Sequence, residues 1–177
     1  MRARPIANAG YYEDMGIADS AVEVRASGWR TLAALHGHIG AALERELVRR
    51  HEVSVVEFTV LDALSRQDGW HMRMSQLARA AALSSSATTR LVNRLEDRGL
   101  LTRILCEDDR RGIYTELTER GWALYREAVP THDEVLEESL RSAGEVPELA
   151  PLVDFLHHVP RGSRSHSPVS QPAPARL

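Results

Sequence analysis

The 177-residue sequence predicts a mainly α-helical (α+β) fold, and three observations carry that prediction. Long outer segments place apolar residues every three or four positions, the period of a helix buried along one stripe. The central segment switches to short helical pieces and two brief strand-like runs. Between those runs lies a polar hexapeptide, Glu107-Asp108-Asp109-Arg110-Arg111-Gly112, which reads as a hairpin tip. This order describes a winged helix-turn-helix with a small β-hairpin wing, set between long N- and C-terminal helices.

Residues 1–19 mix Pro, Gly, Tyr and acids without a period and read as a loose arm. Ser20 and Glu23 form a capping-box pair, in which a hydroxyl and a carboxylate each accept from an exposed amide at a helix start. The segment 20–53 then carries Trp29, Leu32, Leu35, Ile39, Leu43 and Leu47 on one stripe, with the helix ending near Arg50. Ser54 and Glu57 repeat the pair and open a second helix through Phe58, Leu61 and Leu64, and Gly69 is placed to end the turn beyond it. Trp70 to Met74 reads as extended, and Ser75 as the cap of a small helix holding Leu77, Ala78 and Ala81. Leu83 fills a turn, Ser84 caps a helix to Arg98, and Gly99 supplies the positive φ that ends helices well.

Leu101 to Cys106 and Ile113 to Leu117 are the two strands, which completes a winged segment over 54–118. Thr118 caps a long helix to about Ala143, with a bend expected near Pro130, which has no amide hydrogen to donate. Within this last helical segment, 119–160, Pro147 is expected to open a final helix with Leu149, Leu152, Val153 and Leu156 inward, stopped by Pro160. The tail 161–177 is rich in Ser, Pro and Arg, lacks core-forming residues and reads as disordered.

No run of 18 apolar residues exists, so no membrane span is expected. Glu13, Asp14 and Asp19 interrupt any signal pattern, which makes the cytoplasm the expected address. The single cysteine, Cys106, excludes an internal disulfide framework and an all-cysteine metal cage. A net charge of −3 decides little, and all 22 Lys+Arg positions are arginine. The charge is segregated, however. Six arginines face two acids between Arg73 and Arg103, whereas Glu134, Glu137, Glu138, Glu145, Glu148 and Asp154 make the C-terminal third acidic.

In a helix-turn-helix, the second helix presents its N-terminal side chains to base edges in the major groove. Here Ser84, Ser85, Ser86, Thr88 and Thr89 give that helix short hydroxyl groups. Arg90 and Arg94 lie four apart on one face, while Leu91, Val92 and Leu95 lie on the other. A wing would aim Arg110 and Arg111 at the minor groove, where negative potential concentrates, and Asp109 would orient a neighbouring arginine. The predicted partner is double-stranded DNA. The outer helices carry more apolar stripe than one winged lobe can cover, which predicts a second copy of the chain across a two-fold axis.

From about residue 25 to 158 the sequence resembles the MarR (multiple antibiotic resistance regulator) family of bacterial regulators. The motifs that carry the resemblance are Met74-Ser75-Gln76-Leu77-Ala78, the run LSSSATTRLVNRLEDRGLL from Leu83 to Leu101, Asp109-Arg110-Arg111, and Leu117-Thr118-Glu119-Arg120-Gly121. The resemblance implies a homodimer on a near-palindromic operator, repression as the commoner mode, and a small-molecule effector held between dimerisation helices and winged lobe. It also implies that Arg111 is the minor-groove residue, supported by Asp109.

For the effector, Trp29, Leu32 and His36 share the first helix's stripe and offer an apolar floor with one hydrogen-bonding tip, although core is the favoured reading of Trp29 and Leu32. Trp70 and His71 flank the first strand as further candidates. Among eight histidines, His36 with His38 and His157 with His158 diverge on a helix, and no pair has the i,i+4 spacing of a shared ion. No metal ligand is assigned and no cofactor is expected. Family thiol sensing places its cysteine early in the first helix, where this sequence has none; Cys106 sits beside carboxylates that raise a thiol's pKa, so it reads as structural. No phosphate-cradling glycine loop, Gly-x-Ser-x-Gly elbow or metalloprotease helix marks an enzyme. The alternatives are a winged helix used for protein contact and a metal-responsive regulator.

Overall fold

A computed structural model describes residues 19–105 and 113–159. The elements run α1 (Asp19–His51), α2 (Val55–Ser65), a 3-10 turn (Asp68–Trp70), β1 (His71–Arg73), α3 (Met74–Ala80) and α4 (Ser85–Asp97). They continue through β2 (Leu101–Leu105), β3 (Ile113–Leu117), α5 (Glu119–Gly144) and α6 (Ala150–His158). The strands form one antiparallel sheet in the order β1-β3-β2, with Tyr114 opposite Arg73 on one side and Ile104 on the other.

Local chemistry sets the helix ends. The Ser54 hydroxyl accepts from the Glu57 amide at 3.2 Å, and the Glu57 carboxylate accepts from the Ser54 amide at 2.9 Å. Ser84 accepts from the Ala87 amide at 3.3 Å and Thr118 from the Gly121 amide at 3.0 Å, so each satisfies a donor that its helix leaves unpaired. At the end of α4, Gly99 (φ 69°) donates to the Glu96 carbonyl and Leu100 donates to the Leu95 carbonyl, a Schellman motif. The end of α3 repeats this pattern on a residue that is not glycine: Ala82 (φ 52°) donates to Arg79, and Leu83 to Ala78.

Four expectations require correction. The first helix is already helical at Asp19, ahead of the Ser20 and Glu23 pair. The third opens at Met74 rather than after Ser75: Arg73 is its N-cap, and the Gln76 side chain accepts from the Arg73 amide at 3.0 Å. Pro147 lies outside a helix; α6 opens at Ala150, with Pro151 in its first turn, where a missing amide hydrogen removes no helix bond. Leu156 is 42% exposed rather than inward, whereas Val153 is buried. At Pro130, α5 runs on as one continuous helix.

Three apolar clusters hold the chain together. The first, built on Leu61, Leu64, Leu77, Leu91, Leu95 and Leu117, is the core of the winged lobe. A second joins α1, α2 and α5 through Leu43, Leu47, Val53, Phe58, Ala128 and Val135. The third ties Leu35 of α1 to Ala143 of α5 and Val153 of α6. Leu124 and Tyr125 of α5 pack on both of the first two, which connects lobe and long helices. The junction also needs a glycine, because a Cβ on Gly121 would lie 2.0 Å from the Leu100 carbonyl oxygen.

Candidate nucleic-acid interface

The interface starts from the buried face of α4. Leu91, Val92 and Leu95 sit in the winged-lobe core and fix the rotation of the helix. A period of 3.6 then turns Ser85, Ser86, Thr89, Arg90, Asn93 and Arg94 outward, and all six are exposed. Thr89 donates its hydroxyl hydrogen to the Ser85 carbonyl at 2.9 Å and keeps its oxygen lone pairs outward as acceptors. Among the described residues, no hydrogen bond or ion pair engages the guanidinium groups of Arg90 and Arg94.

Two of the predicted hydroxyl residues behave differently. Thr88 is 1% exposed and donates to the Ser84 carbonyl at 2.9 Å, so it is a core residue and not part of the surface. It precedes Leu91, Val92 and Leu95 by three, four and seven positions, which places it on their face. Ser84 is exposed, but its hydroxyl is occupied with capping and lies 3.2 Å from the Ser86 hydroxyl.

The basic excess is also redistributed. The Arg103 guanidinium bonds Glu96 and Asn93, and Arg98 meets Glu57 at 3.4 Å and the Glu52 carbonyl at 2.8 Å. Arg73 donates to the Tyr114 hydroxyl at 2.8 Å and lies 5.5 Å from its ring centre. Arg73, Met74 and Ser75, together with Thr89, Asn93, Arg103 and Ile113, line an open cleft of about 680 Å³ between α4 and the hairpin. The tip residues Asp109, Arg110 and Arg111, and Cys106, lie outside the described residues, as do the arm 1–18, Pro160 and the tail 161–177.

The residues expected to line an effector pocket are not brought together in the single chain. Trp29 (69% exposed), Leu32 (48%) and His36 stand out from α1. Trp70 instead stacks on Trp122, with centroids 4.8 Å apart and planes at 14°, within the winged-lobe cluster. His71 meets the Tyr114 ring edge-on.

Sequence reasoning missed a smaller cavity of about 210 Å³ between α2 and α5, lined by Phe58, Asp62, Arg66, Tyr125 and His132 among others. Tyr125 donates to Asp62 at 2.9 Å, Arg66 pairs with Asp62, and His132 stacks on Phe58 at 4.5 Å. Burial, above all, pushes the Tyr125 phenol up from its ordinary value, so it retains its proton. The i,i+4 spacing of Asp62 and Arg66 was a visible signal for this group. Among the described residues, no cluster of three or more His, Cys, Asp or Glu is arranged to hold a metal ion, and no helix is long and apolar enough to cross a membrane.

Comparison with known proteins matches residues 51–112 to the MarR family. The chain is 32% identical over 105 residues to the HTH-type transcriptional regulator PecS of Dickeya dadantii, covering 59% of this chain and 63% of that protein. It is 28% identical over 93 residues to the transcriptional repressor MprA of Escherichia coli, covering 52% and 53%. The chain thus spans less than two thirds of the length of these regulators. Among solved structures, AbsC, a MarR family transcriptional regulator from Streptomyces coelicolor, superposes with a TM-score of 0.60 at 27% identity over 80% of this chain and 97% of its own. Sco3205 of the same organism, solved in complex with DNA, shares the fold with a TM-score of 0.62 at 23% identity, over 83% and 91%. Helix order and the three-stranded sheet agree with these relatives, so the chain has the winged-helix fold and is similar to the MarR family over residues 51–112.

Proposed function

We propose that the chain is a sequence-specific, double-stranded DNA-binding transcription regulator, acting as a homodimer on a near-palindromic operator and released by a small-molecule effector. One observation carries the reading: α4 presents Ser85, Ser86, Thr89, Arg90 and Arg94 on a single exposed face, fixed in rotation by a fully buried one. Hydroxyl and guanidinium groups on a helix of major-groove width are what base-edge and phosphate readout requires. The names of PecS and MprA, a regulator and a repressor, favour repression as the mode.

A homodimer accounts for the apolar residues left uncovered. Val24, Trp29 and Leu32 of α1, and Phe155 and Leu156 of α6, form ends that a second copy would bury. In that assembly Trp29, Leu32 and His36 border the effector space, with Trp70 behind it in the lobe. Arg110 and Arg111 of the wing meet the minor groove, with Arg111 the residue that enters it and Asp109 its support. The protein works in the cytoplasm and performs no catalysis.

Selection of bound duplexes from a random pool tests this reading. A two-fold-symmetric enriched site is the expected result, and Arg111→Ala should weaken binding to it while leaving dimerisation intact. Absence of enrichment by effector-free protein would favour a winged helix used for protein contact.

A further inference from the structure

We propose that Arg98 is a positioning residue for duplex recognition, which tethers the end of α4 to the corner between α1 and α2. The inference rests on the DNA-binding reading above and assigns a role to a basic residue outside the exposed face.

The geometry is two-pronged. One guanidinium nitrogen of Arg98 donates to the Glu52 carbonyl at 2.8 Å, and another lies 3.4 Å from the Glu57 carboxylate. Both acceptors belong to the same corner. Glu52 adopts a left-handed conformation (φ 55°) just past α1, and Glu57 closes the capping box that starts α2. Glu57 is only 8% exposed, so its charge needs a partner, and Arg98 supplies one. A planar guanidinium reaches two acceptors in fixed directions, which an ammonium does not.

The tether crosses a division in the core. The apolar residues of α4 belong to the winged-lobe cluster, and those of α1 belong to clusters that contain no α4 residue. A polar clamp therefore connects the recognition helix directly to the end of α1. The Schellman turn at Gly99 makes the end of α4 stiff, so the clamp constrains the whole helix and with it Arg90 and Arg94.

The rival role for Arg98 is direct contact with a phosphate, since its side chain is 34% exposed. Titration of the selected duplex over a salt series separates the two. For a positioning role, Arg98→Met lowers affinity about tenfold with the salt slope unchanged, and Arg98→Lys restores only part of the loss. Glu57→Gln lowers affinity too, although removing a negative charge favours a polyanion, and this milder variant retains a side-chain acceptor for the cap. A slope reduced by about one unit in Arg98→Met, with tighter binding by Glu57→Gln, would overturn the proposal in favour of phosphate contact.

Hydrogen exchange on the free protein tests the tether without a duplex. Arg98→Met should speed exchange at 52–57 and 95–100 together, whereas Arg90→Ala should alter neither. Unchanged exchange in Arg98→Met overturns the tether. If exchange changes as expected and the unaltered protein still enriches no duplex, the DNA-binding reading is what fails.

Discussion

The winged lobe and the outer ends of the long helices treat the same kind of residue in opposite ways. In the lobe, Leu61, Leu64, Leu77 and Leu95 are fully buried by elements that the chain itself supplies. At the start of α1 and the end of α6, Trp29, Leu32, Phe155 and Leu156 stand in solvent. Both regions show an apolar period of three to four residues, so periodicity marks a face that wants cover without naming what covers it. The lobe finds its cover within the sequence from Val60 to Tyr125. The helix ends do not, and that contrast is the strongest argument in the molecule for a second copy.

The lobe's half of the contrast should break most severely at Gly121. A Cβ there meets the Leu100 backbone, which cannot swing away as a side chain would. Gly121→Ala should cost about 3 kcal/mol in denaturant unfolding, and an unmoved midpoint would contradict the close approach. The helix ends' half is sharpened by Phe155→Glu, which places a charge on the uncovered face. Sedimentation should then show a dimer dissociation constant raised by roughly thirtyfold, with the lobe still folded. An undiminished dimer would mean that a second copy does not cover this face.

Smaller effects distinguish the two faces of α4. Thr88→Val removes a buried hydrogen bond and should cost about 1 kcal/mol of stability while preserving duplex preference. Thr89→Val, one position on and exposed, should do the reverse: stability within about 0.5 kcal/mol, but altered duplex binding. The smallest change is at the turn between α3 and α4, where Ala82 holds a left-handed conformation that suits glycine. Ala82→Gly should raise stability by about 0.5 kcal/mol in thermal unfolding, and a drop in stability there would mean that the turn is not strained.

Much of this architecture was legible because local chemistry and tertiary structure agree. Ser54 with Glu57, Ser84, Gly99 and Thr118 mark helix ends by hydrogen bonds between near neighbours, which a sequence displays directly. What was not legible depends on distant partners. Thr88 looks like its hydroxyl neighbours until the rotation of α4 against the core is known. Arg98 and Arg103 count as free positive charge until Glu57, Glu96 and Asn93 are seen beside them. Trp70 could as well have faced a ligand; it is Trp122, fifty-two positions on, that claims its ring face. Ser75 lies inside the first turn of α3, because the helix starts one residue earlier, with Gln76 accepting from the Arg73 amide at its N-cap.

The central claim is that the exposed face of α4 reads a duplex, and a salt titration of the selected site tests it most directly. Arg90→Ala and Arg94→Ala should each weaken binding, with the log–log salt slope falling by about one unit for each phosphate no longer neutralised. Affinity and slope unchanged in both variants would mean that these arginines face only solvent, and the assignment of α4 as the recognition helix would be wrong.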